Sequence, residues 1–142
     1  MTSAASPSIS EVLFDWARYA ANDAGLPCII AGGPKLAPSA PIYGEFWYRL
    51  GTPRDVDFDG LPWRQTPGLL QFTIYASDGL KAGTASLKAK CIQKIFSRQM
   101  WFVGRIHFIE TEKMGVVSLP GVRYGKRITV VDGGFDFYEE AV

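Results

Sequence analysis

Apolar positions near the start of the chain recur with a helical period. Ile9, Val12, Leu13, Trp16 and Ala20 fall on one side of a predicted helix. Ser8 and Glu11 stand three residues apart at its start, the spacing of a capping box, and Gly25 followed by Pro27 ends it. Phe14 falls off this stripe, which leaves two readings: a lone exposed aromatic, or a contact for a partner.

The pattern then changes to a period of two. Residues 27–31 read as a short strand. Residues 32–41 carry three prolines and two glycines and read as a loop. In "PIYGEFWYRLG", Ile42, Gly44, Phe46, Tyr48 and Leu50 share one side, and Tyr43, Glu45, Trp47 and Arg49 the other. In "LLQFTIYAS", Leu70, Phe72, Ile74 and Ala76 alternate with Gln71, Thr73 and Tyr75, so this strand has a dry face and a wetter one. After "SDGLKAG" the helical period returns: Ala82, Ala85, Ala89, Ile92 and Phe96 share a face, with Lys90, Lys94 and Arg98 as a basic ridge opposite. "MWFVGRIHFIE" reads as a strand. Residues 111–125 read as a longer connection with room for a little strand, and "KRITVVDGGFDFYEE" as a last strand with a bulge or bend at Gly133-Gly134. No internal repeat is visible. This order predicts one α+β domain over residues 1–142. Its mostly antiparallel sheet carries the N-terminal helix and the second amphipathic helix on one face, and residues 1–7 are expected to be flexible.

Composition narrows the function classes. The 142 residues are 47% hydrophobic and 20% charged, which suits a globular chain. A net charge of +1 gives no global pull toward nucleic acid or a membrane, although residues 79–109 hold six bases and no acid. Cys28 and Cys91 lie far apart and read as small buried thiols rather than a disulfide framework. The opening "MTSAASPSIS" lacks the basic-then-apolar order of a signal peptide, and no apolar run is long enough to cross a bilayer. The expectation is therefore a soluble protein of the cytoplasm, without membrane contact.

Candidate chemistry is sparse. "RDVDFDG" places Asp55, Asp57, Asp59 and Gly60 like the first half of a calcium loop. The twelfth position is Thr66, however, where such a loop needs a bidentate glutamate. Pro53, Pro62 and Pro67 also oppose the flanking helices. The segment reads instead as a polar loop between two paired strands. Phe58, Leu61 and Trp63 within it suggest a surface that another chain covers. His107 is a single histidine on a predicted strand and would need a nucleophile and an orienting acid beside it. No His and Cys have metal-ligand spacing, and Gly32-Gly33-Pro34-Lys35 lacks the spacing of a phosphate loop. The expectation is a protein with no catalytic residues, no metal and no cofactor. The Lys90, Lys94, Arg98 ridge is either a solvated helix face or a surface for phosphate or an acidic partner.

Taken in order, these elements resemble the tail-terminator (tail-completion or minor-tail) proteins of long-tailed bacteriophages. A short amphipathic helix and a proline-rich connection lead to "PIYGEFWYRL". Then "GLLQFTIYASDGLKAGTASLKAKCIQKIF" gives a strand ending in Tyr75-Ala76, a turn with Gly79, and an alanine-rich helix ending in Phe96. The resemblance is strongest over residues 43–96. It implies a structural virion protein, assembled in the host cytoplasm as a homo-hexameric ring at the head-proximal end of the tail tube. The ring would stop tube polymerisation and dock the head–tail connector, with double-stranded DNA passing through its lumen without sequence specificity. Phe14, Phe58, Leu61 and Trp63 are then the candidate subunit contacts, and Lys90, Lys94 and Arg98 the candidate DNA- or partner-facing ridge. A head–tail connector protein, or a small DNA-binding module, is the alternative.

The incomplete calcium loop generates a first expectation. Calcium should leave the melting temperature unchanged in both the native chain and Asp57→Ala. A stoichiometric calcium isotherm that Asp57→Ala abolishes would overturn the loop reading.

Overall fold

A computed structural model of the chain describes residues 9–30, 40–58, 60–80, 82–103, 107–122 and 125–140. In chain order the elements are α1 (Ile9–Asp23), β1 (Cys28–Ile30), β2 (Ile42–Leu50), β3 (Arg54–Phe58), β4 (Leu61–Ser77), α2 (Ala82–Phe96), β5 (Met100–Val103), β6 (His107–Thr111), β7 (Gly115–Ser118) and β8 (Lys126–Glu140). The chain is α+β, as the patterns predicted. The described strands form one open sheet in the order β1-β2-β4-β8-β6-β5, with β3 also on β4 and β7 also on β8. Only β1 and β2 pair in parallel; every other pairing is antiparallel. The expectations for residues 1–7, for Ser8 as a cap and for most of the 32–41 loop lie outside the described residues.

Two long strands form the spine. β4 and β8 pair continuously from Trp63↔Glu140 to Ser77↔Lys126. Each has its outer edge shared between two shorter strands set end to end. On β4 these are β2, opposite residues 68–76, and β3, opposite residues 61–65. On β8 they are β6, opposite residues 135–138, and β7, opposite residues 129–132.

Pro67 shows why the break on the β4 side is tolerated. Its carbonyl accepts from the Gly51 N–H at 2.6 Å, so the missing proline N–H faces the same side. That side is where β2 has ended and β3 has not begun, and no ladder donor is lost there.

Three sequence expectations are corrected here. "MWFVGRIHFIE", read as one strand, holds two, β5 and β6, paired antiparallel from Met100↔Glu110 to Val103↔His107. The 51–67 segment is not a loop but a short connection after β2 followed by a hairpin of β3 with the start of β4. Phe58 stands opposite Leu61, leaving a two-residue turn that ends at Gly60, whose φ is +78°. Asp-Gly flanked by strands is a strong hairpin signal, and it outweighs the proline content. The third correction concerns Gly133-Gly134, where β8 neither bulges nor bends: Leu69↔Gly134 and Leu70↔Gly133 stay in register. The reason for glycine is space. A Cβ on Gly133 would lie 2.6 Å from the Met114 Sδ, because Met114 crosses there between β6 and β7.

Both helices cover one face of the sheet. On that face Phe46, Leu70, Phe72, Ile74, Val131, Phe135 and Ile109 are buried, and α1 adds Leu13, Trp16, Ala17 and Ala20. From α2 come Ala85, Ala89, Ile92 and Phe96 of the predicted apolar face, while the Ala82 side chain lies outside the described residues. Phe96 stacks on Phe46 at 6.1 Å and lies 4.5 Å from Trp16, so it joins sheet, α1 and α2 at one point. α1 ends in a Schellman turn: Leu26 N donates to Ala21 O, Gly25 N donates to Asn22 O, and Gly25 takes φ +64°. Lys88 of α2 then donates to the freed carbonyls of Ala24 at 2.6 Å and Gly25 at 3.2 Å, tying the helices together.

Removing Phe96 should be costly. Its side chain is fully buried, so Phe96→Ala is expected to destabilise the chain by about 3–5 kcal/mol in denaturant unfolding. A loss below about 1 kcal/mol would contradict the central place given to this ring.

Candidate interaction surfaces

With both helices on one side, no described element covers the opposite face of the sheet. The register assigns it Tyr43, Glu45, Trp47 and Arg49 from β2, Leu69, Gln71, Thr73 and Tyr75 from β4, and Asp132, Asp136, Tyr138 and Glu140 from β8. Its aromatic side chains gather at two ends. Tyr43 stacks on Tyr75 at 5.0 Å with Lys126 over the Tyr43 ring, while Phe108 stacks on Tyr138 at 4.7 Å beside Trp63. Gln65 connects to the second group, accepting from Arg54 Nε at 2.8 Å and donating to the Tyr138 hydroxyl at 3.2 Å.

The electrostatics of this face are acidic. Burial, and after it Asp136 and Glu110, push the Tyr138 phenol above its usual value, with Arg54 opposing. Burial, then Glu45, act in the same direction on Tyr75. The sequence places these residues on the wetter side of the strands, but alternation alone does not say whether a second layer covers them.

The predicted contact residues separate. Phe14 is not exposed: it is half-buried against the core, edge-on to Phe46 at 6.2 Å and Tyr48 at 5.7 Å, so its aromatic partner belongs to its own β2. Neighbouring Ser10 hydrogen-bonds the Tyr48 hydroxyl. Leu61 is 56% exposed at the end of the β3–β4 hairpin. Trp63 is half-buried and lies 6.0 Å from Phe108, so part of its surface is already satisfied within the chain. The Phe58 backbone belongs to β3, while its side chain lies outside the described residues.

The basic ridge is also divided. Lys90 and Lys94 are exposed on α2, with no salt bridge among the described residues. Arg98 is not on the helix, which ends at Phe96. It is an exposed residue in left-handed conformation, φ +52°, and its N–H donates to Glu112 O. Thr111, Ser97 and Gln93 satisfy the surrounding backbone: Gln99 N donates to Thr111 Oγ1, Met114 N to Ser97 Oγ, and Gln93 Nε2 to Met114 O. The chain must turn here to enter β5, and these bonds fix that turn.

Between the helices and edge strand β5 lies a groove of about 510 Å³ lined by Trp16, Tyr19, Asp23, Cys91, Lys94 and Trp101, among others. Trp16 is held between Phe96 and Trp101, each 4.5 Å away, and its Nε1 is buried without a hydrogen-bond partner among the described residues. The Cys91 thiol donates to Asp23 Oδ2 at 3.2 Å, and that bond, then burial, raises its pKa. A second cavity, about 390 Å³, is lined by Ser77, Ser86, Ser118 and Arg127 together with apolar side chains, and no histidine or carboxylate in its lining could activate a serine.

Asp55 and Asp57 lie on an extended strand, Asp55 3.9 Å from Arg64, and Asp59 falls outside the described residues. Among the described residues no three His, Cys, Asp or Glu side chains gather closely enough to hold a metal, and no helix is long and apolar enough to cross a membrane. The His107 backbone pairs with Val103, but its side chain lies outside the described residues.

No protein-family model matches the chain, and no curated protein does. Its fold does have a counterpart among solved structures. A protein whose name states no activity matches with a TM-score of 0.66 at 16% identity, over 95% of this chain and 100% of its own. Identity that low establishes a shared fold alone.

Burial, above all, pushes the Cys28 thiol up to about 11 from an ordinary value of 9.0, against the opposing pull of Arg18. The folded chain therefore holds this proton to a higher pH than the unfolded chain, and stability falls as pH rises from about 9 to about 11. Cys28→Ala should make the decline in melting temperature over that interval shallower. Equal slopes in both proteins would refute the assignment.

Proposed function

We propose that this protein is a phage tail terminator: a structural subunit that forms a ring on the head-proximal end of the tail tube, ends its growth and receives the head connector. The observation that carries the reading is the sheet face left open by the described residues, flanked by short edge strands and carrying the exposed Leu61 and Leu69 among half-buried aromatic side chains. An antiparallel sheet can leave one face to water, but a face that carries exposed leucines gains from being covered by a neighbouring subunit in a closed assembly.

Further support comes from the β4–turn–α2 segment, which has the order and spacing that prompted the resemblance. The β3–β4 hairpin extends past the end of β2 with Leu61 exposed, a suitable element for reaching a neighbouring subunit or ring.

Deleting the gene and imaging the lysate tests the proposal. Tails of uncontrolled length, or tails of normal length that fail to join filled heads, are expected. Infectious particles in normal yield would refute it.

A further inference from the structure

We propose that the open sheet face receives the outer face of α2 from a second copy of this chain, joining subunits front to back. The inference rests on the ring reading for its closure. The choice of surfaces rests on charge and exposure alone.

The front surface is centred on Leu69, 45% exposed. Its partner across the ladder is Gly134, and Asp132 and Asp136 flank Gly134 on the same face of β8. The Glu112 carboxylate adds to them, its Oε2 lying 3.1 Å from where a Gly134 Cβ would stand. None of these three acids has a salt bridge among the described residues. Of the bases on this face, Arg54 is engaged by Gln65, Lys126 lies over the Tyr43 ring and donates to Ala40 O and Ser77 Oγ, and Arg49 stands beside Leu69.

The back surface mirrors this arrangement in charge. Leu87, 70% exposed, shares an α2 stripe with Lys90 and Lys94, three and seven residues further on. Lys90 and Lys94 are about 6 Å apart along the helix, and Asp132 and Asp136 about 13 Å apart along the strand, so the two lysine stems must splay to reach both carboxylates. Each surface is thus an exposed leucine beside unpaired charge, basic on one and acidic on the other. An apolar centre with a charged rim is the usual anatomy of a protein interface.

The two surfaces lie on opposite sides of the subunit, because α2 covers one face of the sheet and its outer side points away from the other. A two-fold dimer through either surface would set like charges together, which is unfavourable. The complementary contact is heterologous, and repeating it gives a ring or a filament according to the rotation between neighbours.

The test is self-association of the full chain, measured as mass by sedimentation. At low ionic strength the native protein should associate. Salt should weaken the association as the screening length falls from about 30 Å at 0.01 M to about 10 Å at 0.1 M. Lys90→Glu with Lys94→Glu, and separately Asp132→Lys with Asp136→Lys, should each weaken it about tenfold or more. Mixing the two charge-reversed proteins should restore it, since each then offers the other two complementary faces. Neutral Lys90→Gln with Lys94→Gln gives a milder second variant, and circular dichroism verifies that all of them are folded.

A native chain that stays monomeric, reversals without effect, or a mixture that fails to associate would overturn the proposal. So would loss of salt-dependent duplex binding in the lysine variants with association unchanged, which would assign α2 to nucleic acid. If the faces pair as described but gene deletion leaves particles infectious, the interface stands and the tail reading falls. If deletion has the expected effect and the faces do not pair, the reverse holds.

Discussion

The antiparallel pairing of β4 with β8 is the constraint on which everything else depends. Neither strand is an edge, and each offers its outer side to two short strands in succession. Because side chains alternate strictly along this ladder, one register sends Leu70, Phe72, Ile74, Val131 and Phe135 to the same side, where the helices bury them. A slip by one residue would bring Asp132 and Asp136 beneath α2. The close fits at Gly68, under the Phe135 ring, and at Gly133, under Met114, hold the same register by shape.

Much of this was legible because periodicity is a local property. The stripe on α2 and the alternation in residues 69–77 each lie within one element, and both predicted the buried face correctly. What was missed depends on a neighbour. Phe14 looks misplaced on a helical projection, since the projection cannot anticipate that β2 rises beside α1 to meet it with Phe46 and Tyr48. The paired glycines look like a break in β8 until Met114 is seen to need the room. The hairpin was hidden by composition: its prolines and aspartates resemble a loop, and only the ladder to β8 shows that residues 61–67 continue a strand. Arg98 continues a charge pattern that the chain itself abandons two residues earlier.

The candidate surfaces were legible to a lesser degree. The sequence identified Lys90, Lys94 and Leu61 as outward-facing, and they are exposed. It did not single out Leu69, Asp132 or Asp136, because alternation marks a wetter face without saying that nothing covers it. Only the packing of both helices on one side leaves that face open among the described residues. The division of charge between the two sides likewise exists only in the folded chain, since a net charge of +1 conceals it.

The order of the two spine strands along the chain also bears on how the protein is made. β8 follows every other described element, so a ribosome delivers α1, β1, β2, the β3–β4 hairpin and α2 before the partner of β4 exists. Until then one long side of β4 has its amides and carbonyls unpaired, and an open strand edge is a template for the wrong strand. The nascent chain must therefore wait with its centre exposed, and the pairing that closes it spans the widest sequence separation of any described strand pair, which makes its formation slow. Crowding of many identical chains at once, as when a multi-subunit particle is being produced, would put the heaviest demand on chaperones at this stage.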